Sequence, residues 1–283
     1  MGMKASNAIA TFFKYFVLIL VGLIMIYPLL WMISATFKDN SEIFAGIGLW
    51  IKNPTLEGYK NALNNFGGSI NILQAMLNTY SYVLPKVICT VVSSCIAAYG
   101  RFDFPGRKIL FSIMLATLFL PQVVLNVPQF LLYTKFGWVN SPFYLAIWVH
   151  CAFATETYFV YQLVQFMRNV PRDLDEAAAI DGCSSFQTLY KVIVPMLGPA
   201  LVSCALFQFM WSCNDFMGPL LYVQTPAKYP MSLFVKLSMD GDTGFAWNRI
   251  LALSLISILP QLIVFFCAQD QFVEGISAGA VKG

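Results

Sequence analysis

The chain has 283 residues, of which 58% are hydrophobic and 11% charged, with a formal net charge of +3 and a mean hydropathy of +0.69. About a quarter of the residues of a soluble domain are charged, so this composition excludes a soluble globular domain and indicates an integral membrane protein. No nucleic-acid partner is expected.

Six apolar stretches are long enough to cross a bilayer, because a hydrocarbon core of about 30 Å needs about 20 helical residues. In chain order they cover residues 12–37, 78–99, 109–133, 143–167, 192–222 and 250–268. Prolines interrupt several of them, which spanning helices tolerate when neighbours satisfy the freed carbonyls. The sequence therefore predicts an all-α integral membrane protein, with six transmembrane helices in a single domain over residues 1–283.

The distribution of Lys and Arg predicts the orientation, since cytoplasmic loops carry an excess of both. The densest group runs from Arg101 to Lys108, between the second and third stretches. We expect both termini in the cytoplasm and the protein in the bacterial plasma (inner) membrane. The first stretch is longer than the apolar part of a signal peptide, about 7–15 residues, so we expect it to be retained as a helix.

No hydrolytic or nucleotide-binding constellation can be assembled from this sequence. It has no G-x-x-x-x-G-K-[ST] and no H-E-x-x-H, and its one histidine, His150, lies in the fourth stretch. The seven cysteines form no C-x-x-C pair, which favours small buried residues over a metal or disulfide framework. We expect no catalytic residue, no metal and no cofactor in this chain, so energy for any work must come from elsewhere.

An acidic, alanine-rich segment lies between the fourth and fifth stretches, at residues 169–195. Pro171 suits a first helical turn, acidic residues follow where the helix dipole favours them, and Gly182 suits a left-handed stop. Ser184 and Gln187 predict a capping box for a second helix. We interpret the segment as a helix-turn-helix projection on the cytoplasmic face, with an ordinary amphipathic connector as the alternative.

The order Glu176-Ala177-Ala178, Asp181-Gly182 and Ile193-Val194-Pro195 resembles the EAA signature of ABC importer permeases. Similarity extends to Asn78-Thr79, to 97–102 and 104–107, to Trp211 with Asn214-Asp215, and to the ending 275–283. The chain as a whole is similar to the MalG-like, binding-protein-dependent permeases for carbohydrate uptake.

The resemblance implies a type I ABC importer permease fold that forms half of a translocation pathway and works by alternating access. It implies four kinds of partner: a second, MalF-like permease in a heterodimer, ATPase subunits that bind ATP and Mg, an extracytoplasmic sugar-binding protein, and membrane lipids. The segment 169–195 would be the coupling helix that docks on the ATPase. Its coupling residues would be Glu176, Ala177, Ala178, Asp181 and Gly182.

Polar side chains inside the apolar stretches predict the substrate pathway, because such groups are costly in hydrocarbon and are functional by default. The predicted pathway residues are Gln122, Asn126, Gln129, Glu156, Gln208, Trp211, Asn214 and Asp215. The alternative for Glu156 and Asp215 is a position near a membrane interface or beside broken backbone. By resemblance, Asp240, Gly241 and Asp242 would contact the binding protein, with solvated turns as the alternative.

The cargo implied by the resemblance is a di- or oligosaccharide. The alternative is an acidic, uronate-containing oligosaccharide or a sugar phosphate, which the Lys and Arg residues predicted near the outer ends of the spans would also tolerate. A membrane enzyme would need a cluster of acid, base or metal ligands. A channel or secondary transporter would need no capped acidic helix before the fifth stretch.

Overall fold

The computed structural model describes residues 2–64, 70–100, 105–239 and 246–280, and these residues form helices and no β-strand. The first eight helices are α1 (Gly2–Ala35), α2 (Asn40–Ile43), α3 (Glu57–Leu63), α4 (Ile72–Tyr99), α5 (Arg107–Thr117), α6 (Gln122–Lys135), α7 (Leu145–Trp148) and α8 (Thr157–Met167). The others are α9 (Asp173–Ile180), α10 (Ser185–Thr188), α11 (Val194–Met196), α12 (Gly198–Cys213), α13 (Met217–Tyr222), α14 (Met231–Leu237) and α15 (Trp247–Ala280). Short 3₁₀ turns cover Val149–Phe153 and Pro226–Lys228, and a π turn covers Leu189–Ile193.

Three helical segments are long and apolar enough to cross a membrane: Ala10–Ala35 in α1, Ile72–Tyr99 as α4, and Trp247–Phe272 in α15. Two bent pairs also qualify as spans, α5 with α6 at 97° and Ser185–Met196 with α12 at 82°. Length and composition therefore give three to five spans in the described part of the chain, where the sequence predicts six. The prediction of an all-helical membrane protein is confirmed at this coarser level.

The predicted span at 143–167 is not one continuous helix. It is divided into α7, the 3₁₀ turn at 149–153 and α8. Ala154 adopts a left-handed conformation with φ 55°, which a right-handed α-helix cannot contain. Glu156 immediately precedes α8. The apolar pattern does not reveal this break, and the stretch is not among the three to five spans that the described residues give.

Prolines lie next to the bends in the other two interrupted spans. Pro121 precedes α6 in an extended conformation, after α5 has already ended at Thr117. Pro195 has no N–H to donate, and the turn before it widens so that the Val194 N–H reaches the Leu189 carbonyl. These bends place non-helical backbone inside the predicted spans.

Residues from Leu73 to Phe234, together with those from Leu259 onward, form one compact unit. It has two clusters of buried apolar side chains. The first includes Phe159, Leu163 and Ile193, and joins α4, α8 and α12. The second is rich in aromatic rings and includes Tyr82 and Phe209. The second cluster matters most for function, because its tyrosines continue into the cavity described below.

The other compact unit contains the residues up to Ile72 and Val235–Ile258. Its chain folds back after α1: the buried Lys38 ammonium donates to the Gly48 carbonyl at 2.6 Å, and the Asn248 N–H donates to Asn40 Oδ1 at 3.0 Å. Gly58 permits close packing, because a Cβ there would lie 2.7 Å from the Asn248 carbonyl oxygen. Polar contacts therefore hold the loop between α1 and α3 in place.

Asp39 fixes the start of α2 in this loop. Its Oδ1 accepts hydrogen bonds from the backbone N–H of Ser41 at 2.9 Å and from the Ser41 hydroxyl at 3.0 Å. Both bonds stabilise the carboxylate and lower the pKa of Asp39, whose side chain is exposed.

Candidate functional site

Three breaks in the helices open onto one cavity of 670 Å³, which lies wholly within the unit that begins at Leu73. Leu118 and Leu120 line it from the break between α5 and α6, Glu156 from the break before α8, and Asp215 from the break between α12 and α13. Non-helical backbone in a membrane is tolerated where it is buried in protein or lines a water-filled cavity. The breaks therefore bring polar backbone and side chains to one place.

Five of the eight predicted pathway residues line this cavity: Gln122, Asn126, Gln129, Glu156 and Asp215. The other three do not line it. Gln208 is buried in α12, and Trp211 packs against the rings of Tyr158 and Phe159. The Asn214 amide donates to the Met210 carbonyl at 2.8 Å and to Gln261 Oε1 at 3.0 Å. These three side chains support the helices around the cavity.

Two pairs of ionisable side chains lie in the cavity wall. Lys86 Nζ is 3.8 Å from Asp215 Oδ2, and His150 Nε2 is 3.8 Å from Glu156 Oε1. Lys86 is the residue that the sequence analysis missed. The signal was available, because a lysine within the predicted span 78–99 is an intramembrane charge and hence a candidate functional group.

Asp215 is held in place by neighbours on two sides. Its Oδ1 accepts a hydrogen bond from the Gly218 N–H at 2.9 Å, and its carbonyl accepts one from the Ser232 hydroxyl at 2.9 Å. A Cβ on Gly218 would lie 2.6 Å from Asp215 Oδ2, so a larger residue there would force this carboxylate to move. The geometry keeps the carboxylate directed at Lys86.

Aromatic rings complete the wall. Tyr133, Tyr158 and Tyr222 line the cavity, and the ring of Tyr133 stacks on His150 with centroids 6.4 Å apart. Tyr133 and Tyr222 also pack against each other at 5.4 Å. The cavity thus combines amide groups, charged groups and ring faces.

The acidic segment after α8 contains the two predicted short helices. α9 has three acidic residues in its first turn, and α10 begins with the predicted capping box between Ser184 and Gln187. Gly182 follows α9 with φ 80°. The Gly182 N–H donates to the Ala179 carbonyl at 3.1 Å and the Cys183 N–H to the Ala178 carbonyl at 2.9 Å, which is a Schellman ending.

This short helix offers an exposed surface. Glu176, Ala177, Asp181 and Gly182 are exposed, whereas Ala178 is buried beneath them. Two large apolar side chains, Ile180 and Phe186, are also exposed beside them, with Ile180 at 87%. Neither is among the predicted coupling residues, although an exposed apolar patch rimmed by polar residues is typical of an interface.

Two parts of the earlier predictions lie outside the described residues. Asp240, Gly241 and Asp242, the predicted contacts with the binding protein, fall in the undescribed stretch 240–245. The beginning of the basic group at Arg101 does so as well.

Comparison with known proteins decides the family. Residues 90–274 match the family model described as "binding-protein-dependent transport system inner membrane component". The chain belongs to this family. It is 32% identical over 267 residues to the trehalose/maltose transport system permease protein MalG of Thermococcus litoralis, covering 94% of both chains. It is 28% identical over 286 residues to the galactooligosaccharides transport system permease protein GanQ of Bacillus subtilis, covering 99% of both.

The prediction of a MalG-like ABC permease is confirmed by these matches, as is that of a multi-pass inner-membrane transport subunit. The fold is similar to a solved bacterial ABC transporter that imports the acidic polysaccharide alginate, with a TM-score of 0.77 at 19% identity, covering 94% of this chain and 98% of the other. A second structure of an alginate transporter, in complex with its pentasaccharide-bound periplasmic protein, matches with a TM-score of 0.63. These likenesses concern the fold of an ABC importer permease.

Proposed function

We propose that this permease forms half of the translocation pathway of an ATP-driven, binding-protein-dependent importer for a neutral di- or oligosaccharide. The observation that carries the proposal is the 670 Å³ cavity at the helix breaks, whose wall combines amides, charges and tyrosine rings. Relatives over nearly the whole chain are named for trehalose/maltose and galactooligosaccharide transport. A pocket of this size and mixed polarity is typical of small-molecule sites.

The chemistry of the wall suits a substrate rich in hydroxyl groups. The amides of Gln122, Asn126 and Gln129 both donate and accept hydrogen bonds, as hydroxyl groups do. The tyrosine rings offer flat apolar faces against which the C–H face of a sugar ring packs. These features support transient binding that orients a saccharide without holding it tightly.

The charge of the wall favours a neutral cargo. The described lining residues include two carboxylates, Glu156 and Asp215, against the single ammonium of Lys86 and the imidazole of His150. With the imidazole neutral, the wall has a net negative charge, which repels a uronate or a phosphate.

An acidic, uronate-containing oligosaccharide or a sugar phosphate is the second candidate cargo. Two observations favour it: Lys86 lies in the cavity wall, and the fold is shared with an alginate importer. Binding of matched neutral and uronate oligosaccharides to the cognate extracytoplasmic binding protein separates the two. We expect binding of the neutral series, and exclusive binding of the uronate series would establish the alternative.

For energy coupling, we propose that the exposed surface around Glu176, Asp181 and Gly182 docks on a cytoplasmic ATPase. Closure of an ATPase dimer would then move this permease and a MalF-like partner as rigid bodies between inward-open and outward-open states. Both termini would lie in the cytoplasm. ATP and Mg would be bound by the ATPase chains, and the loop containing Asp240, Gly241 and Asp242 would meet the binding protein outside.

A pair of substitutions at Gly182 tests the docking. Asp and Asn both tolerate the left-handed conformation, so Gly182→Asp and Gly182→Asn share a backbone and differ in charge. A Cβ at this position meets no described atom within 4 Å, and both variants carry the same strain at φ 80°, so a difference between them would arise from the charge. We expect Gly182→Asp to keep the ATPase in the purified complex and to lose uptake, while Gly182→Asn retains more. Normal uptake by Gly182→Asp would remove the assignment.

A further inference from the structure

Three side chains with metal-binding atoms converge at the edge of the cavity. Cys151 Sγ lies 3.4 Å from His150 Nε2 and 3.5 Å from Glu156 Oε1, and these last two atoms are 3.8 Å apart. Cys151 is fully buried, whereas His150 and Glu156 line the cavity. Each residue offers one possible ligand atom, and the three atoms lie within 4.8 Å of one another. Among the described residues, this is the one group of at least three such side chains that meets this distance.

These separations match the edges of a tetrahedral zinc site. Zinc binds sulfur at about 2.3 Å and imidazole nitrogen or carboxylate oxygen at about 2.0–2.2 Å, so tetrahedral ligand atoms lie about 3.5–3.7 Å apart when one is sulfur and about 3.3–3.5 Å apart otherwise. The two separations that involve sulfur lie within about 0.1 Å of their range, and the third exceeds its range by a few tenths of an ångström. One ion therefore fits between the three atoms with a small adjustment of a side chain.

The local fold holds each of the three residues independently of the others. The His150 ring is stacked by Tyr133, and the Cys151 carbonyl accepts a hydrogen bond from the Ser93 hydroxyl at 2.6 Å. The left-handed Ala154 turns the chain so that Glu156 returns toward the pair. A non-glycine residue in this conformation is strained, and such strain is typical of ligand clamps.

We propose that His150, Cys151 and Glu156 form a three-ligand Zn²⁺ site in the wall of the cavity, with the fourth position open to the cavity. The combination of sulfur, nitrogen and oxygen suits zinc, whereas Mg²⁺ and Ca²⁺ prefer oxygen ligands alone. Binding replaces the thiol proton of Cys151 by the metal and releases that proton to water. The thiolate and the carboxylate then neutralise the two charges of the ion.

The structure also sets the expected strength of binding. Zinc-binding histidines usually donate their second N–H to a fixed acceptor, and loss of such a partner weakens binding about 10–100-fold. His150 Nδ1 is buried and has no hydrogen-bond partner among the described residues. We therefore expect weaker binding than at a structural zinc site with a complete set of supporting hydrogen bonds.

The test uses the full-length chain, purified in detergent, stripped of metal and titrated with Co²⁺. Cobalt bound by a thiolate gives a charge-transfer absorption, so the wild type should show this band at one ion per chain, and Zn²⁺ should displace it. Cys151→Ser should abolish the band. Cys204→Ser is the matched control, because Cys204 is equally buried but lies outside the cluster.

Two further variants guard against a folding defect. Glu156→Gln and His150→Gln should each weaken Co²⁺ binding more than tenfold while the chain elutes as the wild type does in size exclusion. A band that survives Cys151→Ser, or a wild type that binds no more metal than Cys151→Ser, would overturn the site. Because metal binding is measured without transport, either result leaves the proposed transport function unaffected.

Discussion

Gly218→Ala should disable the cavity without unfolding the chain. The new methyl group would lie 2.6 Å from Asp215 Oδ2, so the carboxylate must move. We expect this movement to break the hydrogen bond from the Gly218 N–H to Oδ1, at 2.9 Å, and to separate the carboxylate from Lys86, at 3.8 Å. A hydrogen bond to a charged group contributes about 1.5–3 kcal/mol. If this free energy is lost where the substrate passes, the rate of uptake falls at least about tenfold, since each 1.36 kcal/mol changes a rate by about a factor of ten.

Gly198→Ala provides the control for this prediction. Gly198 begins α12, and a Cβ there would meet no atom of the described residues within 4 Å, so the change brings the same gain in helix propensity without a clash. The assay is the rate of labelled saccharide uptake at saturating binding protein, with co-purification of the ATPase as the measure of assembly. If the two alanine variants transport equally, Asp215 has no role in the pathway.

Three other changes test separate parts of the account. Lys86→Met and Asp215→Asn should each reduce uptake, because each single change leaves a charge in the cavity without its partner. The double variant should lose less uptake than the sum of the two single losses, and additive losses would contradict the pairing. Ser184→Ala should lower local stability by about 1 kcal/mol through loss of the capping box, seen as faster amide exchange at the start of α10 with unchanged exchange in α12. Gly58→Ala should lower the midpoint of thermal unfolding, because its methyl group would lie 2.7 Å from the backbone oxygen of Asn248, and backbone atoms cannot move as easily as a flexible side chain. An unchanged midpoint would show that the close approach is absent.

Residues with a local physical signal could be predicted from the sequence. The capping box at Ser184 and Gln187 and the left-handed Gly182 depend on neighbouring residues alone, and both are present as predicted. The apolar stretches were predictable for the same reason, because length and hydropathy are properties of the sequence itself. Lys86 was predictable too, since a charge inside an apolar stretch needs no fold to be noticed.

The helix breaks and the clusters that they create could not be predicted in this way. Ala154 is a good helix former, and only the packing around it imposes φ 55°. Without that turn, Glu156 would lie more than one helical turn from Cys151, and the seven cysteines without a C-x-x-C pair gave no reason to expect a metal site. Gln208 and Asn214 show that a polar residue in an apolar stretch need not line the cavity: Gln208 is buried in α12, and the Asn214 amide donates to Gln261 Oε1.

Reconstituted uptake tests the central claim most directly. The chain, a MalF-like partner and the ATPase are placed in proteoliposomes, with binding protein and labelled saccharide on one side and ATP on the other. The account predicts accumulation that requires ATP, the ATPase and the binding protein together. Accumulation that persists without the ATPase chains would identify a channel or secondary transporter and would contradict the account.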